Sequence, residues 1–414
     1  MSHRVVITGL GTITPVGHNV EETWTALKNG VSGVGTITQF DASEFPVRIA
    51  GEIKEFNPKE FLDRKEAKRL ERFSQFACIA AGEALAMSGL EVTEDNCENI
   101  GTFIGSGMGS LGLIESDVKR LEKNGPERVT PLLIPKIIVN MAAGNVAIKF
   151  GLKGPSHSIV SACASGSHAI GEAFRNVKHG YMDACVCGGT ESTITPLGVA
   201  GFHALTALST NNDCPEEASR PFDKERNGFV MAEGAGVIVI ESLEHAKKRG
   251  ATILGEICGY GATSDAYHMT SPAPGGEGGA RAMKSAIKEA GLQAEDVDYV
   301  NAHGTSTPYN DKFETQAIKA SLGDHAYKVA INSTKSMTGH LLGAAGGVEA
   351  VVCVKSILDS YLHPTINQTS PDPDCDLDYV ANTGRSMNVD VAMSNSLGFG
   401  GHNASLLFKK YTEV

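Results

Sequence analysis

The 414-residue chain lacks any run of about 18 apolar residues, so the sequence predicts no transmembrane helix. The best candidate stretch, residues 346–358, is interrupted by Glu349 and Lys355. The first nine residues lead into an apolar strand pattern and have neither the longer apolar core nor the cleavage site of a signal peptide. We therefore expect a cytoplasmic protein that does not associate with a membrane.

Basic residues are also in short supply: 36 Lys and Arg against 48 Asp and Glu give a formal net charge of −12 at pH 7. This balance disfavours general nucleic-acid binding, which needs a basic surface. The nine cysteines are an odd, scattered set, which argues against a disulfide framework and for a reducing compartment. Cys185 and Cys187 alternate within an apolar strand pattern and have no second ligand pair, so we expect no metal site.

Aromatic residues make up only 6% of the chain, whereas glycine is abundant, at 47 of 414 residues or about 11% against roughly 7% on average. The glycines do not form a nucleotide-binding fingerprint. The pair Gly9 and Gly11 lacks the third small residue and the acidic residue about 20 positions later, and residues 105–109 lack the Gly-Lys-Ser/Thr of a phosphate loop. We therefore expect no nucleotide cofactor and interpret the glycines as points of close strand–helix packing.

Apolar β-type runs alternate with helical patterns along most of the chain, which predicts an α/β fold with covered sheets. The predicted strands are Arg4–Ile7, Ile100–Ile104, Ala184–Cys187, Val237–Glu241, Val297–Asn301 and Val329–Asn332. The predicted helices span residues 163–179, 278–290, 312–321 and 343–358. A strand, a reactive side chain and a helix follow one another around Cys163 and again around His303, which suggests two related halves, residues 1–250 and 251–414.

Four short segments carry side chains suited to acyl transfer. Cys163 lies among small residues ahead of a predicted helix, whose positive end lowers the pKa of a thiol, although most free cysteines are packing residues. His303 and His340 lie in small-residue loops next to predicted strands and helices. The glycine-rich loop at 395–403 carries Phe399 and could supply a backbone N–H to an oxyanion. A thiol that can hold an acyl group and imidazoles that can donate to an enolate form a coherent set.

These segments, in this order and spacing, resemble the β-ketoacyl-acyl carrier protein synthase family of type II. The matching segments are Cys163, NAHGTSTP at 301–308, STKSMTGHLLGAAGG at 333–347, GFGG at 398–401, RPFDKERNGFVMAEGAG at 220–236 and DAYHMTSP at 265–272. The resemblance implies a thiolase-like α/β fold: two similar halves, each with a mixed five-stranded sheet, in α-β-α-β-α layers. It also implies a homodimer.

The resemblance assigns a role to each reactive residue. Cys163 would take the acyl chain from acyl carrier protein as a thioester. His303 and His340 would bind the malonyl thioester and stabilise the enolate formed on loss of CO₂. Backbone N–H groups of Cys163 and Phe399 would form the oxyanion hole, and the Phe399 side chain would gate the acyl pocket. Lys335 and Glu349 would form a charge pair that orients the histidines, whose tautomers would be fixed by second partners.

Further binding positions follow from the same resemblance. The substrate-binding positions are Met108 in the acyl-pocket wall, Thr270, Thr305 and Thr307 along the malonyl and pantetheine path, and Gly398 and Gly400 beside the gate. The carrier-docking stripe, at helical spacing, is Lys65, Lys68, Arg69 and Arg72, with Lys123 and Arg128 as weaker candidates. The implied partners are acyl- and malonyl-loaded carrier protein and a second copy of the chain, without cofactor, metal, nucleic acid or membrane.

Some positions depart from the pattern of other members, and two alternative activities remain open. The departures are Leu397, His402, Thr206 and Ala232. A thiolase-like coenzyme A acyltransferase would carry a second catalytic cysteine, which the 395–403 segment lacks. A ketosynthase of a type II polyketide pathway shares these motifs. A non-enzymatic partner subunit resembling a chain-length factor would lack the nucleophile that Cys163 supplies.

Overall fold

The computed structural model describes residues 3–413. In chain order, strands β1 to β14 are Val5–Ile13, Gly35–Thr36, Ile49–Ala50, Ile100–Gly105, Ser156–His157, Ala184–Glu191, Gly234–Ser242, Gly255–Ser264, Tyr299–Asn301, Ala330–Asn332, Tyr361–Leu362, Arg385–Ser386, Val391–Gly398 and His402–Lys409. Helices α1 to α13 are Val20–Lys28, Arg64–Arg69, Arg72–Ser88, Leu111–Asn124, Leu133–Ile137, Met141–Phe150, Ser165–Lys178, Pro196–Ala204, Leu243–Lys248, Glu277–Ala290, Pro308–Leu322, Lys335–Thr338 and Ala345–Asp359. Over these residues, the search for a helix long and apolar enough to span a bilayer finds none.

The first strand shows why glycine is abundant. It was predicted to stop at Ile7 but continues to Ile13, through both glycines of the Gly-x-Gly pair. A Cβ atom on Gly9 would lie 2.0 Å from the carbonyl oxygen of Ala84, and one on Gly11 would lie 1.9 Å from that of Ala80. Both alanines belong to α3, so its backbone packs directly on β1. The prediction of close strand–helix packing is confirmed here.

The same device occurs in the second half of the chain, in β8 and α10. A Cβ atom on Gly259 would lie 2.3 Å from the carbonyl oxygen of Ala286, and one on Gly261 would lie 1.9 Å from that of Ala282. Each half therefore opens with a strand whose two alternate glycines face two alanines one helical turn apart.

Ten strands form one mixed sheet in the order β10-β9-β13-β14-β8-β1-β7-β6-β4-β5. From one edge, β5, β4 and β6 are parallel, and β6, β7 and β1 are antiparallel. The other edge repeats this arrangement with β10, β9, β13, β14 and β8. The predicted pair of mixed five-stranded sheets is present. The two are also joined edge to edge, through the short antiparallel pairing that runs from Val5 with Ile257 to Ile7 with Gly255.

Helices complete five layers. Helices α3 and α6 cover the outer face of the first half-sheet, and α10 and α11 cover that of the second. Helices α7 and α13 lie between the half-sheets and contact strands of both. On β6, Cys185 and Cys187 face this central layer, whereas Ala184 and Val186 face the outer helices. The alternate residues of this strand share a face, as predicted.

The repeated order shows which reactive segments correspond. Helices α7 and α13 each follow a three-residue 3₁₀ turn, Ala162–Ala164 and Leu342–Ala344, whose first residue has a left-handed φ of 50°. The counterpart of α7 is therefore α13. The loop after β9, which carries His303, corresponds instead to the loop after β4. The similar order of strand, reactive side chain and helix around Cys163 and around His303 therefore does not make these two segments counterparts, because similar small-residue patterns follow several strands of this fold.

Candidate active site

A cavity of about 440 Å³ opens beside the N-terminus of α7. It is lined by Cys163, His303, His340 and Phe399. Of the predicted substrate-binding residues, Thr270, Thr305, Thr307 and Gly398 also line it. The fold thus brings together a thiol from the first half of the chain and two imidazoles from the second.

The Cys163 thiol lies inside the 3₁₀ turn that precedes α7 and is 8% exposed. Burial raises the pKa of the Cys163 thiol to about 12, and the charge of Glu191 acts in the same direction. The nearby charge of Lys335 and the backbone N–H groups of Phe399 and Cys163 favour the thiolate but do not offset burial. The expected depression of this pKa by the helix end is therefore not observed, because a sequence pattern does not show how completely the pocket excludes water.

Phe399 lies at the tip of a β-hairpin rather than in the long loop predicted at 395–403. Strand β13 extends to Gly398, which pairs with His402 at the start of β14, so only three residues form the turn. The turn closes through Gly400 and Gly401, which have left-handed φ values of 84° and 73°. Phe399 thus lies in a short turn between two paired strands.

Gly398 places this turn against the 3₁₀ turn that carries Cys163. A Cβ atom at Gly398 would lie 2.7 Å from the Ser161 carbonyl oxygen, so a larger residue would push the hairpin away from the Cys163 turn. Gly400 does not line the cavity; its N–H donates to the Met269 carbonyl oxygen at 2.7 Å. The neighbouring 265–272 loop therefore supports the hairpin tip from outside.

The two imidazoles lie edge to face, with ring centroids 5.3 Å apart and planes at 86°. Nδ1 of His340 accepts a hydrogen bond from the Leu342 backbone N–H at 3.3 Å, which leaves the proton on Nε2. The His303 backbone N–H donates to Glu314 at 2.8 Å, but its Nδ1 has no hydrogen-bond partner within residues 3–413. The predicted fixing of a tautomer by a second partner is thus seen for His340 and not for His303.

Lys335 and Glu349 form a buried ion pair, with side chains 1% and 2% exposed, between Nζ and Oε1. Burial lowers the pKa of His303 and of His340 well below 6.5, and the Lys335 charge lowers both further. Both imidazoles are therefore neutral at physiological pH and can donate hydrogen bonds without titrating. The Lys335 charge therefore helps to keep both imidazoles neutral, whereas the orienting of the histidines by the pair stays a prediction.

Two aromatic residues of the cavity were not identified from the sequence as site residues. Phe229 packs edge-on against the His340 ring, with centroids 5.2 Å apart, and Phe202 lies 6.3 Å from Phe399. Phe229 falls in the 220–236 block that matched the family, which was a usable signal. Phe202 lies in α8 with no motif around it, so nothing in the sequence marked it.

The 220–236 block also holds the backbone of His340. The His340 N–H donates to the Val230 carbonyl at 2.7 Å, and the Ala232 N–H donates to the His340 carbonyl at 2.9 Å. Ala232, one of the departures from the family pattern, is thus a buried part of this contact. Of the other departures, Leu397 and Thr206 line the cavity, whereas His402 is exposed at the start of β14.

Met108 does not line the cavity. It packs, together with Phe202, against the apolar cluster that contains Cys163, Ile194 and Val199. Met108 therefore lies in apolar surroundings, and its place in an acyl pocket stays a prediction.

The predicted docking stripe is divided between two helices. Helix α2 ends at Arg69, and Arg72 is the first residue of α3, so the assumed continuous helical spacing is wrong. Lys65, Lys68 and Arg69 are exposed, and Lys65 and Arg69 line a second, separate cavity of about 350 Å³. The weaker candidates Lys123 and Arg128 are exposed near the end of α4.

Arg72 has a structural contact instead of a free charge. Its Nε donates to the buried Glu233 carboxylate at 2.7 Å, and its guanidinium lies 4.9 Å and 5.0 Å from the ring centroids of Phe56 and Phe76. A charge held in this way is not available to a carrier protein.

A helix-start thiol under two backbone N–H groups, facing two neutral imidazoles, defines an acyl-transferring condensing enzyme. The chain matches the family described as beta-ketoacyl synthase, N-terminal domain, over residues 2–246 and the C-terminal domain of the same family over residues 254–369. It belongs to the beta-ketoacyl synthase family, and the predicted family and thiolase-like fold are confirmed.

Relatives are similar over nearly their whole length. The chain is 54% identical to 3-oxoacyl-[acyl-carrier-protein] synthase 2 of Synechocystis sp., over 99% of this chain and 98% of that one. It is 53% identical to the protein of the same name from Coxiella burnetii, over 98% of each. Among solved structures, a beta-ketoacyl synthase from Burkholderia phymatum is 38% identical with a TM-score of 0.92, covering 99% and 100% of the two chains. A type II polyketide ketosynthase in complex with its acyl-carrier protein is 35% identical, with the same TM-score and coverage.

Proposed function

We propose that this chain condenses an acyl group with malonyl-acyl carrier protein, with loss of CO₂, to give 3-oxoacyl-acyl carrier protein two carbons longer. The observation that carries the proposal is the single cavity that presents one thiol, two neutral imidazoles and two backbone N–H groups. The names of the relatives at 52–54% identity support elongation of fatty acids.

In the first half-reaction, the Cys163 sulfur attacks the acyl thioester of the carrier protein. A new C–S bond forms, and the carrier thiol leaves with a proton. The N–H groups of Cys163 and Phe399 bind the oxyanion that develops next to the sulfur, where one such donor contributes about 3–4 kcal/mol. Because burial keeps the resting thiol protonated, its proton must leave as substrate enters, and the Lys335 charge favours the thiolate at that moment.

In the second half-reaction, His303 and His340 donate hydrogen bonds from Nε2 to the malonyl thioester carbonyl. The bond to the carboxylate breaks, CO₂ leaves, and the electron pair forms an enolate stabilised by these two donors. The enolate carbon attacks the Cys163 thioester, the C–S bond breaks, and the thiolate is regenerated. Thr305 and Thr307 line the cavity with hydroxyls 3.0 Å apart, and in this proposal they would contact the pantetheine arm.

A type II polyketide ketosynthase is the second candidate, because one similar structure is such an enzyme. Incubation with malonyl- and long-chain acyl-carrier protein, followed by CO₂ measurement and product mass, separates the possibilities. One two-carbon extension with one CO₂ supports the first proposal, and repeated extension without reduction supports the second. Acyl exchange on coenzyme A without CO₂ would contradict both and would favour a thiolase-like acyltransferase.

We propose that Lys65, Lys68 and Arg69 dock the acidic carrier protein. They are exposed and have no salt-bridge partner within the described residues, on a protein whose net charge is −12. The double substitution Lys65→Glu and Arg69→Glu should raise KM for acyl-carrier protein about tenfold, with kcat nearly unchanged and a weaker dependence on salt.

The matched control is Lys247→Glu with Lys248→Glu, which reverses two exposed charges on α9. Steady-state kinetics at two ionic strengths measures both double variants. An equal rise in KM for the two would show that only net charge matters and would reject docking at α2.

We propose that two copies pair through the face formed by α4, α5 and the edge strand β5. Apolar side chains that are 39% to 62% exposed lie on α4 and on or next to α5: Val118, Leu121, Leu132, Ile134 and Ile138. Strand β5 ends the ten-stranded sheet and has exposed residues, so its outer edge can pair with a copy of itself. Sedimentation should give twice the 43.5 kDa chain mass, and Ile134→Lys should lower it. A monomeric wild-type protein would contradict this assignment.

We also propose a cytoplasmic location for the enzyme. All nine cysteines lie within the described residues, where none forms a disulfide and most are buried. Free thiols of this number suit a reducing compartment, which is also where an acyl carrier protein of fatty-acid synthesis would be met.

A further inference from the structure

A buried carboxylate, Glu191, lies at the end of β6 behind the cavity and is 0% exposed. It accepts hydrogen bonds from the Ser106 hydroxyl at 2.9 Å and from the N–H groups of Gly107 at 2.7 Å, Met108 at 3.2 Å and Gly343 at 3.1 Å. No cationic side chain pairs with it within residues 3–413. Four neutral donors from two distant segments therefore replace the solvation of this carboxylate.

At the two glycines that contact Glu191, the carboxylate leaves no room for a side chain. A Cβ atom at Gly107 would lie 2.8 Å from Oε2 of Glu191, and one at Gly343 would lie 2.7 Å from the same oxygen. A side chain at either position would therefore keep the backbone N–H of that residue from reaching the Glu191 carboxylate. The glycine-rich loop at 105–109, which fits no nucleotide-binding fingerprint, thus wraps around a carboxylate of the protein itself.

The donors on Glu191 belong to segments that matter to the proposed reaction. The Met108 side chain packs against the apolar cluster that contains Cys163, and an acyl chain attached to the sulfur would extend among these apolar side chains. Gly343 follows Leu342, whose N–H binds Nδ1 of His340. One carboxylate thus fixes the backbone under the acyl-pocket residue and the backbone next to a catalytic imidazole.

We propose that Glu191 is a positioning residue that holds Met108 at a fixed place beside Cys163 and thereby sets which acyl chain lengths the enzyme accepts. The inference rests on the proposed acyl transfer to Cys163. A carboxylate is required because it accepts from all four donors at once, whereas an amide has one oxygen and directs its NH₂ group at an N–H donor. Losing these bonds frees the 106–108 backbone to shift under an acyl chain.

The test compares Glu191→Gln with wild type in the rate of Cys163 acylation, followed by intact mass, over a series of saturated acyl-carrier proteins from short to long chains. We expect the ratio of long-chain to short-chain rates to change about tenfold, which corresponds to about 1.4 kcal/mol, as for the loss of a buried hydrogen bond. Ser106→Ala, which removes one donor and keeps the carboxylate, should move the ratio in the same direction by less.

The matched control is Glu241→Gln, at the end of β7. Glu241 is also 0% exposed, but it accepts from Thr8, His245 and Arg249, away from the cavity. This variant should lose thermal stability without changing the chain-length ratio. If Glu191→Gln and Ser106→Ala lose stability but keep the wild-type ratio, Glu191 is only structural and the inference is wrong. If wild type itself forms no adduct on Cys163, the proposed function fails instead.

Discussion

Replacing Cys163 with alanine is expected to abolish the acyl-enzyme and to lower condensation at least about a thousandfold, as loss of a covalent nucleophile does in other enzymes. Alanine removes the sulfur that carries the acyl group but keeps the small volume that the 3₁₀ turn requires. Intact-mass analysis after incubation with long-chain acyl-carrier protein should show a thioester on wild type and none on Cys163→Ala.

Cys214 provides the control, because it is exposed and is therefore the thiol most open to nonspecific acylation. Cys214→Ala should form the same adduct as wild type at the same rate. An adduct that persists on Cys163→Ala and disappears on Cys214→Ala would overturn the assignment of the nucleophile. The absence of any adduct on wild type would overturn the proposed reaction.

The second large effect is expected from the two histidines. His303→Ala and His340→Ala should each lower decarboxylation of malonyl-carrier protein about 10²–10³-fold, because each removes one donor from the developing enolate. Acylation of Cys163 should fall much less, since its oxyanion is bound by backbone N–H groups. Release of CO₂ and intact mass measure the two steps separately. The control is His325→Ala, because the His325 ring binds the Val297 carbonyl away from the cavity. Full decarboxylation by both cavity variants would exclude the proposed role.

The histidines also predict a pH dependence. Because burial and Lys335 hold the pKa of both imidazoles well below 6.5, they stay neutral through that pH, and decarboxylation should show no acid limb at 6.5. Stability behaves differently. As pH falls through 6.5, the unfolded chain takes up protons that the folded chain does not, so the free energy of unfolding declines. A decarboxylation profile that falls by half at pH 6.5 would show that the imidazoles are more accessible than the structure indicates.

The alternation of strands and helices could be predicted from the sequence because several buried strands and four of the thirteen helices, α7, α10, α11 and α13, leave clear periodicity. Every predicted strand and helix overlaps an observed one. Five two-residue strands, β2, β3, β5, β11 and β12, were not predicted. The longer strands that were also not predicted, β8, β13 and β14, carry glycine or polar residues within their runs, and at Gly259 and Gly261 of β8 a helix packs closely on the strand. In a sequence, glycine predicts the end of a strand. In this fold, it allows the backbone of a strand to contact the backbone of a helix.

The reactive residues could be named from their motifs, but their electrostatics could not. The sequence placed Cys163 at a helix start and predicted a lowered pKa, whereas burial raises it. It placed Arg72 in a docking stripe, whereas Glu233 holds its charge. Glu191 left no signal, because its partners are backbone N–H groups from residues distant in sequence. Long-range burial and pairing decide these properties, and local spacing does not report them.

The central layer also has a consequence for how the enzyme becomes active during its own folding. Each outer helix packs on a strand of its own half, α3 on β1 and α10 on β8, so these contacts can form as the halves are synthesised. Helices α7 and α13 need strands from both halves to bury their surfaces. A chain with one folded half would carry Cys163 without its histidines. We therefore expect the reactive site to be complete only after the two halves have docked.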